Sequence, residues 1–241
     1  MKNLLHRPTR SLLTVSGVAI GIAAVVALTS IAWGFEEAWV QIYTARGTDL
    51  IVTRAGSLNP VAAPFPSEVV DDVRGLPGVA QGSGVLSDVI GIEHVPVILI
   101  FAWESNAYLW DHLRLIAGRL PAGDTEPAVV LGAVAADALG KTAGSPIRIQ
   151  HATFTVSGVF ESASLTENGA VIMTLPQLQR VTGHTGKVNF VNVKLVPGTT
   201  DADIAALRDA ITRRWPGFRA FRAGEAGERN AALQMVEAMS W

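Results

Sequence analysis

The chain has 241 residues, of which 49% are hydrophobic and 17% charged, and its formal net charge at pH 7 is -2. This near-neutral charge gives no electrostatic basis for binding nucleic acid. The absence of cysteine excludes thiolate nucleophiles, thiolate metal sites and disulfides.

The first predicted element is a segment without charged side chains, residues 11–35. As a helix it would be about 37 Å long, at about 1.5 Å per residue. A bilayer core requires about 20 apolar residues, so the pattern predicts a transmembrane helix. The alternative is a cleaved signal peptide, but signal peptides have a shorter apolar core that is followed by a cleavage site of small residues. This segment instead ends in Trp33 and Phe35.

Basic residues indicate the orientation of this segment. Lys2, Arg7 and Arg10 precede it, whereas Glu36 and Glu37 follow it. Because Lys and Arg beside a membrane span stay in the cytoplasm, the first ten residues are predicted to be a cytoplasmic N-terminus. The chain as given should cross the cell (inner) membrane once and place its main domain in the periplasm or outside the cell.

Small residues mark one face of the same segment. Gly17 and Gly21 form a GxxxG pattern, and Ala24 and Leu28 continue that face. Small residues four positions apart let a second membrane helix approach closely. We therefore expect Gly17 and Gly21 to be helix-packing residues; the alternative is the general abundance of Gly and Ala in membrane helices.

The exterior part begins with a stalk and a first strand–helix–strand unit. Residues 36–48 are predicted to continue the membrane helix outward, with Gly47 at the stop. A strand is expected at residues 49–53, and Ser67 is expected to cap a helix. That helix should end at the sequence RGLPGV, residues 74–79, where extended chain resumes.

The same order returns near the C-terminus. Residues 189–195 alternate between two faces, which predicts a half-buried strand. Thr200 or Asp201 is expected to cap the helix that follows. This helix ends at RRWPGF, residues 213–218, which matches RGLPGV at three of six positions. Two such halves form the βαββαβ pattern of a split sheet with helices on one face.

A different segment, residues 95–186, separates the two halves. A buried strand is predicted at residues 97–102, and alternation at residues 147–160 predicts a hairpin. Pro176 suits the first turn of a short helix that ends at Gly183. The segment is therefore predicted to be a mainly β insert.

The last residues, 225–241, contain a helical pattern at residues 230–241 and become apolar near Trp241. They are predicted to be a return stalk that leads toward a second membrane helix. The predicted fold class is thus α+β: one N-terminal transmembrane helix followed by a split βαβ/βαβ exterior domain with a mainly β insert.

One short motif suggests nucleotide binding but departs from the required pattern. LGKT at residues 139–142 resembles the end of a P-loop, but Ala135 stands where the pattern needs glycine. The motif also closes a predicted helix instead of opening one. Gly140 is better interpreted as a helix C-cap, and we expect no bound cofactor.

No other motif predicts catalysis. None of the five histidines has the spacing of a metal site, and no serine lies in GxSxG. Four carboxylates are conceivable as pairs, but solvated surface acids are far commoner. These four residues are Glu104, Asp111, Glu161 and Glu167.

An ordered set of segments gives the chain a family resemblance. They are a basic residue and first helix at 10–28, GTDLIV at 47–52, GRLP at 118–121, VVLG at 129–132, ALGK at 138–141, IRI at 147–149 and FTVSGVF at 154–160. In this order they resemble the MacB-like permeases of ABC transporters, which share a superfamily with the FtsX-like and lipoprotein-releasing permeases.

The resemblance implies a permease with four membrane helices and a periplasmic core domain between the first two. Residues 49–94 and 187–224 would then form a porter-like subdomain, and residues 95–186 a sabre-like insert. ATP hydrolysis would belong to a cytoplasmic ABC ATPase, so this chain is not expected to be an enzyme. The chain would be the N-terminal part of the permease, ending where the second membrane helix begins.

The resemblance also implies partners and a function. The expected partners are the ATPase, a second permease copy in a homo- or heterodimer, and a periplasmic adaptor. The exterior domain would transmit ATPase-driven motion to efflux or release of a substrate outside the inner membrane. The alternative is a membrane-anchored exterior binding or adaptor module without transport activity. A third class, an anchored hydrolase, lacks any nucleophile or metal motif.

Overall fold

A computed structural model describes residues 8–56 and 63–225, and the side chains of residues 8–15 and 31–39 lie outside that description. The helices are α1 (Pro8–Ala45), α2 (Glu68–Arg74), α3 (Ala133–Leu139), α4 (Leu165–Asn168), α5 (Leu175–Thr182) and α6 (Asp201–Arg214). The strands are β1 (Leu50–Arg54), β2 (Phe65–Pro66), β3 (Val79–Ile92), β4 (Val95–Trp103), β5 (Arg114–Gly118), β6 (Ala128–Gly132), β7 (Pro146–Ile149), β8 (Ala152–Glu161), β9 (Val171–Thr174), β10 (Lys187–Val188), β11 (Phe190–Leu195) and β12 (Phe218–Arg222). Short 3₁₀ turns occupy Tyr108–Trp110 and Ala223–Glu225.

Helix α1 is continuous over 38 residues and ends as its sequence predicts. Gly47 has a left-handed φ of 63°. The Gly47 N–H donates to the carbonyl of Thr44, and the Thr48 N–H donates to that of Tyr43. This pair of bonds is a Schellman motif, which satisfies the last helical carbonyls. Among the residues that the structure describes, which include the side chains of only residues 16–30 from the charge-free segment, no helix is long and apolar enough to cross a membrane.

The two predicted strand–helix–strand units interleave in the sheet. Strands β12, β1, β11 and β3 are neighbours in that order, and every adjacent pair is antiparallel. Strands β1 and β3 of the first unit therefore flank β11 of the second. This arrangement is a split βαβ pair.

The segment between the units extends the same sheet. Strand β4 forms a hairpin with β3 and runs parallel to β9, and the order continues β9-β6-β8-β5. Within the described part of the chain, the result is one mixed 10-stranded sheet, with β7 paired to β8 off the main path. The segment also contains α3, α4 and α5. Because the sheet passes through both predicted domain boundaries, the division into porter-like and sabre-like subdomains stays a prediction.

Each face of the sheet has its own buried cluster. On one face the apolar side chains of α2, α3, α5 and α6 pack against the strands. On the other face, Ile42 and Tyr43 from the last turns of α1 join a cluster that includes Trp103 and Phe160. The prediction of a half-buried β11 is therefore wrong. The second face of the sheet is also covered, so Phe190 and Asn192 are buried as well.

Local turn and cap chemistry mostly follows the sequence. Thr200 caps α6 in a reciprocal capping box with Asp203, and Gly140 and Gly183 take left-handed conformations after α3 and α5. Two details differ. Ser67 occupies the cap position of α2 but makes no side-chain cap bond. Val97, predicted to be buried, is 67% exposed. The predicted return stalk beyond Glu225 lies outside the described residues.

Candidate functional site: a buried ionic cluster at the end of helix α1

The four carboxylates of the sequence have different surroundings. Glu161 pairs with Arg114 and Glu104 with Arg74, all of these at or near the surface. Asp111 is exposed. Glu167 is different, because its side chain is fully buried. The expectation of a solvated surface acid is therefore wrong for Glu167, and the reason is a set of long-range partners.

Arg46 is the first of these partners. It follows the last turn of α1, where the Schellman turn at Gly47 directs the chain into β1. The Arg46 Nε donates to Glu167 Oε1 over 2.7 Å, and the Arg46 side chain is only 2% exposed. A buried ion pair of this kind is held in a low dielectric, where its Coulomb attraction is much stronger than in water.

Two aromatic rings complete the environment of the Arg46 guanidinium. Its central carbon lies 4.3 Å from the ring centroid of Phe101 and 4.9 Å from that of Trp103. Both aromatic residues belong to β4. An arginine against aromatic rings at these distances gains a cation–π attraction, which increases when water is excluded.

The second carboxylate oxygen of Glu167 has partners of its own. The Ser162 hydroxyl donates to Oε2 over 2.6 Å, and His112 Nε2 lies 2.8 Å from the same oxygen. The Ser164 hydroxyl accepts from the Glu167 N–H and so caps α4. Both oxygens and the backbone are thus fixed. We call Arg46, His112 and Glu167 the ionic cluster.

The ionic cluster keeps Glu167 ionised. Burial alone would raise the pKa of Glu167, but the charge of Arg46 and the hydrogen bonds from His112 and Ser162 outweigh burial and hold it at about 2. An enclosed carboxylate with so low a pKa does not serve as a proton donor at neutral pH. Its chemical role is to anchor the Arg46 cation.

The low pKa predicts how stability depends on pH. A glutamate that titrates near 4.5 when unfolded and near 2 when folded contributes about 3 kcal/mol of stability, at about 1.36 kcal/mol per pH unit. This contribution is complete above about pH 4.5 and is lost as the pH falls toward about 2. Denaturant titrations of the native chain and Glu167→Gln should show their difference in unfolding free energy shrinking over this range. A difference that stays constant with pH would contradict the assignment.

The LGKT segment and the GxxxG pattern are not part of the ionic cluster. Gly140, in the LGKT segment, is a left-handed C-cap of α3, which confirms the interpretation as a helix end. Gly17 and Gly21 lie on exposed turns of α1, with open space where a Cβ would stand. Their role as helix-packing residues stays a prediction. Within the described ranges, no three His, Asp or Glu side chains group as metal ligands.

Sequence reasoning missed the ionic cluster because its members are far apart along the chain. Glu167 is separated from Arg46 by 121 positions and from His112 by 55. The only local signal is Ser164 three residues before Glu167, a pattern that marks a helix N-terminus. That pattern predicts α4 but not the burial of Glu167.

Solved structures share this architecture. The periplasmic region of MacB from Actinobacillus actinomycetemcomitans superimposes with a TM-score of 0.58 at 12% identity, over 80% of this chain and 95% of that one. The extracellular domain of a noncanonic ABC-type transporter, YknZ, from Gram-positive bacteria gives a TM-score of 0.53 at 14% identity, over 72% of this chain and 98% of that one. At these identities the likeness concerns the fold alone.

Sequence comparison identifies the family. A macrolide export ATP-binding/permease protein, MacB, of Nitrobacter winogradskyi is 28% identical over 177 residues. The match covers 67% of this chain but only 27% of that protein, so the chain spans about a quarter of its relative's length. The profile of the MacB-like periplasmic core domain matches residues 11–214. The chain therefore belongs to the MacB-like periplasmic core domain family of MacB/FtsX-type ABC transporter permeases.

Proposed function

We propose that this chain is the exterior-domain part of an ABC transporter permease that transmits ATPase-driven motion to efflux or release of a substrate outside the inner membrane. The observation that carries the proposal is the continuity of α1. It runs without a break from Pro8, beside the charge-free segment, to Ala45, beside the buried ionic cluster. A single helix thus connects the two ends that such a transmission needs.

The proposal places residues 11–35 across the membrane, with the N-terminus in the cytoplasm and the main domain in the periplasm or outside the cell. Support comes from the absence of charge in this segment. In its described part, apolar side chains are exposed on every side of the helix, among them Val18, Ile20, Ile22 and Val25. A helix that is apolar all round is a helix buried in protein or in lipid.

The proposed partners are a cytoplasmic ABC ATPase, a second permease copy and a periplasmic adaptor. The relative from Nitrobacter winogradskyi carries ATP-binding and permease functions under one name, with macrolides as its exported substrate. Macrolides are therefore the first substrates to test. No catalytic role is proposed for this chain, because ATP hydrolysis is assigned to the partner.

The proposed packing face of α1 predicts the effect of two substitutions. Replacing Gly17 and Gly21 with isoleucine should weaken assembly of the full-length permease, since β-branched side chains would hold a second helix away. The measurement is the dimer fraction in detergent or nanodiscs. Ala19→Ile and Ala23→Ile place the same isoleucine side chains on the opposite face and should leave the dimer intact. Equal dimer fractions for the two double variants would contradict the proposed packing face.

Co-expression of the full reading frame with its ATPase tests the function itself. We expect the two chains to purify together, and vesicles containing both to export a substrate in an ATP-dependent manner. The alternative function, an anchored exterior binding or adaptor module, has no ATPase partner. A full-length protein that binds ligand but neither retains an ATPase nor drives export would establish that alternative.

A further inference from the structure

We propose that Arg46 and Glu167 are positioning residues that join α1 mechanically to residues 95–186, so that movement of α1 is delivered to this insert and not only to the strand that follows α1. This inference rests on the proposed function, because the movement of α1 is the ATPase-driven motion proposed above. The new element is the pair of residues, Arg46 and Glu167, that receive the movement.

The covalent connection of α1 and the ion pair of Arg46 lead to different parts of the domain. The covalent connection leads through Gly47 into β1, a central strand of the split βαβ pair formed by residues 49–94 and 187–224, which we call the split part. The partners of the Arg46 guanidinium, in contrast, all belong to the insert: Glu167 in α4, and Phe101 and Trp103 in β4. The ionic cluster therefore links α1 to a region that is distant along the chain.

The ion pair makes the link between α1 and the insert stiff. The hydrophobic attraction between apolar side chains is non-directional, whereas a buried ion pair loses several kcal/mol when its partners separate in a low dielectric. Glu167 cannot rotate freely, because Arg46 holds Oε1 while His112 and Ser162 hold Oε2. A displacement of Arg46 should therefore displace Glu167.

Behind Glu167, helix α4 contacts the sheet of the insert. Helix α4 sits directly on the end of β6 at Gly132, where a Cβ would overlap the carbonyl oxygens of Glu167 and Asn168. The Gly132 N–H also donates to the carbonyl of Ala170 over 3.0 Å. Backbone in contact with backbone leaves little room for α4 to yield. The path of contacts from α1 through Glu167 thus ends in the central sheet of the insert.

The contact through which Arg46 and Glu167 couple α1 to the insert is called the joint below. Distance measurements between spin labels test it. Because the chain contains no cysteine, pairs of cysteines can be introduced at exposed positions: Thr44 on α1, Asp137 on α3 of the insert and Asp209 on α6 of the split part. The test variant is Arg46→Met with Glu167→Met. Replacing a buried ion pair with apolar residues of similar volume often preserves stability, so this variant separates the joint from the fold.

We expect the Thr44–Asp137 distance distribution to broaden in the Arg46→Met/Glu167→Met variant, while the Asp137–Asp209 distribution stays as in the native chain. Glu167→Asp keeps the charge but withdraws the carboxylate by one methylene, so it should also broaden the Thr44–Asp137 distribution. The matched control, Arg114→Met with Glu161→Met, removes an exposed pair from the insert and should change neither distribution. An unchanged Thr44–Asp137 distribution in both test variants would overturn the joint.

Transport by the full-length permease with its ATPase supplies the second readout. Loss of the joint should reduce the amount of substrate exported per ATP hydrolysed by about ten-fold, a factor that corresponds to a typical coupling free energy. ATP hydrolysis itself should continue. Full export by the Arg46→Met/Glu167→Met variant would overturn the proposal. Absence of export by the native protein would count against the proposed function instead, so the two failures are distinguishable.

Discussion

Replacing Glu167 with glutamine should lower the free energy of unfolding by about 3–5 kcal/mol, the penalty for leaving one member of a buried ion pair without its partner. Glutamine has nearly the same shape, so packing around α4 is retained. The Arg46 guanidinium, with its side chain only 2% exposed, would then stay buried beside a neutral amide. Equilibrium denaturation followed by tryptophan fluorescence measures the change, because Trp103 lies against Arg46.

Glu161→Gln is the matched control for this substitution. Glu161 also lies in the insert and also pairs with an arginine, but the Arg114 and Glu161 side chains are 70% and 44% exposed. Exposed ion pairs contribute about 0–1 kcal/mol, since water and salt screen them. If the two glutamine variants were equally stable, Glu167 would not be the buried anchor described above.

The second large effect is expected at Gly118, in the GRLP segment of the family resemblance. Gly118 ends β5 with φ 72°, and a Cβ there would overlap the carbonyl oxygen of Ser157. Gly118→Ala should therefore lower the unfolding free energy by about 3 kcal/mol or more, as left-handed strain of about 1–2 kcal/mol adds to overpacking of about 1–3 kcal/mol. The same denaturation experiment measures it.

Gly140→Ala separates the two contributions. Gly140 has a similar φ of 63°, but nothing lies within 4 Å of its Cβ position. Only the backbone strain of about 1–2 kcal/mol should therefore appear. A loss at Gly118 no larger than the loss at Gly140 would show that the β5–β8 edge relaxes around the added methyl group.

The sequence predicts those features that depend on neighbouring residues. The stop of α1 at Gly47, the cap of α6 at Thr200 and the C-cap at Gly140 each rest on the chemistry of a few adjacent positions. The repeated strand–helix–strand units were visible for the same reason. Their interleaving in the sheet is the arrangement that two such units commonly adopt.

Features that depend on distant residues were not predictable in this way. The alternation in residues 189–195 is typical of a strand with one buried face, yet Asn192 is buried and donates to Thr48 beyond the end of α1. The second face is covered by elements far away along the chain. Glu167 illustrates the same point for charge, because only the tertiary fold brings Arg46 and His112 to it.

An exterior domain driven through α1 requires the two ends of this helix to lie on opposite sides of the membrane. Cysteines at position 3, before α1, and at the exposed position Thr153 on β8 can be tested in intact cells with a membrane-impermeant maleimide. Asn3→Cys should react only after the cells are lysed, whereas Thr153→Cys should react in intact cells. Protection of Thr153→Cys together with labelling of Asn3→Cys in intact cells would contradict this orientation of α1.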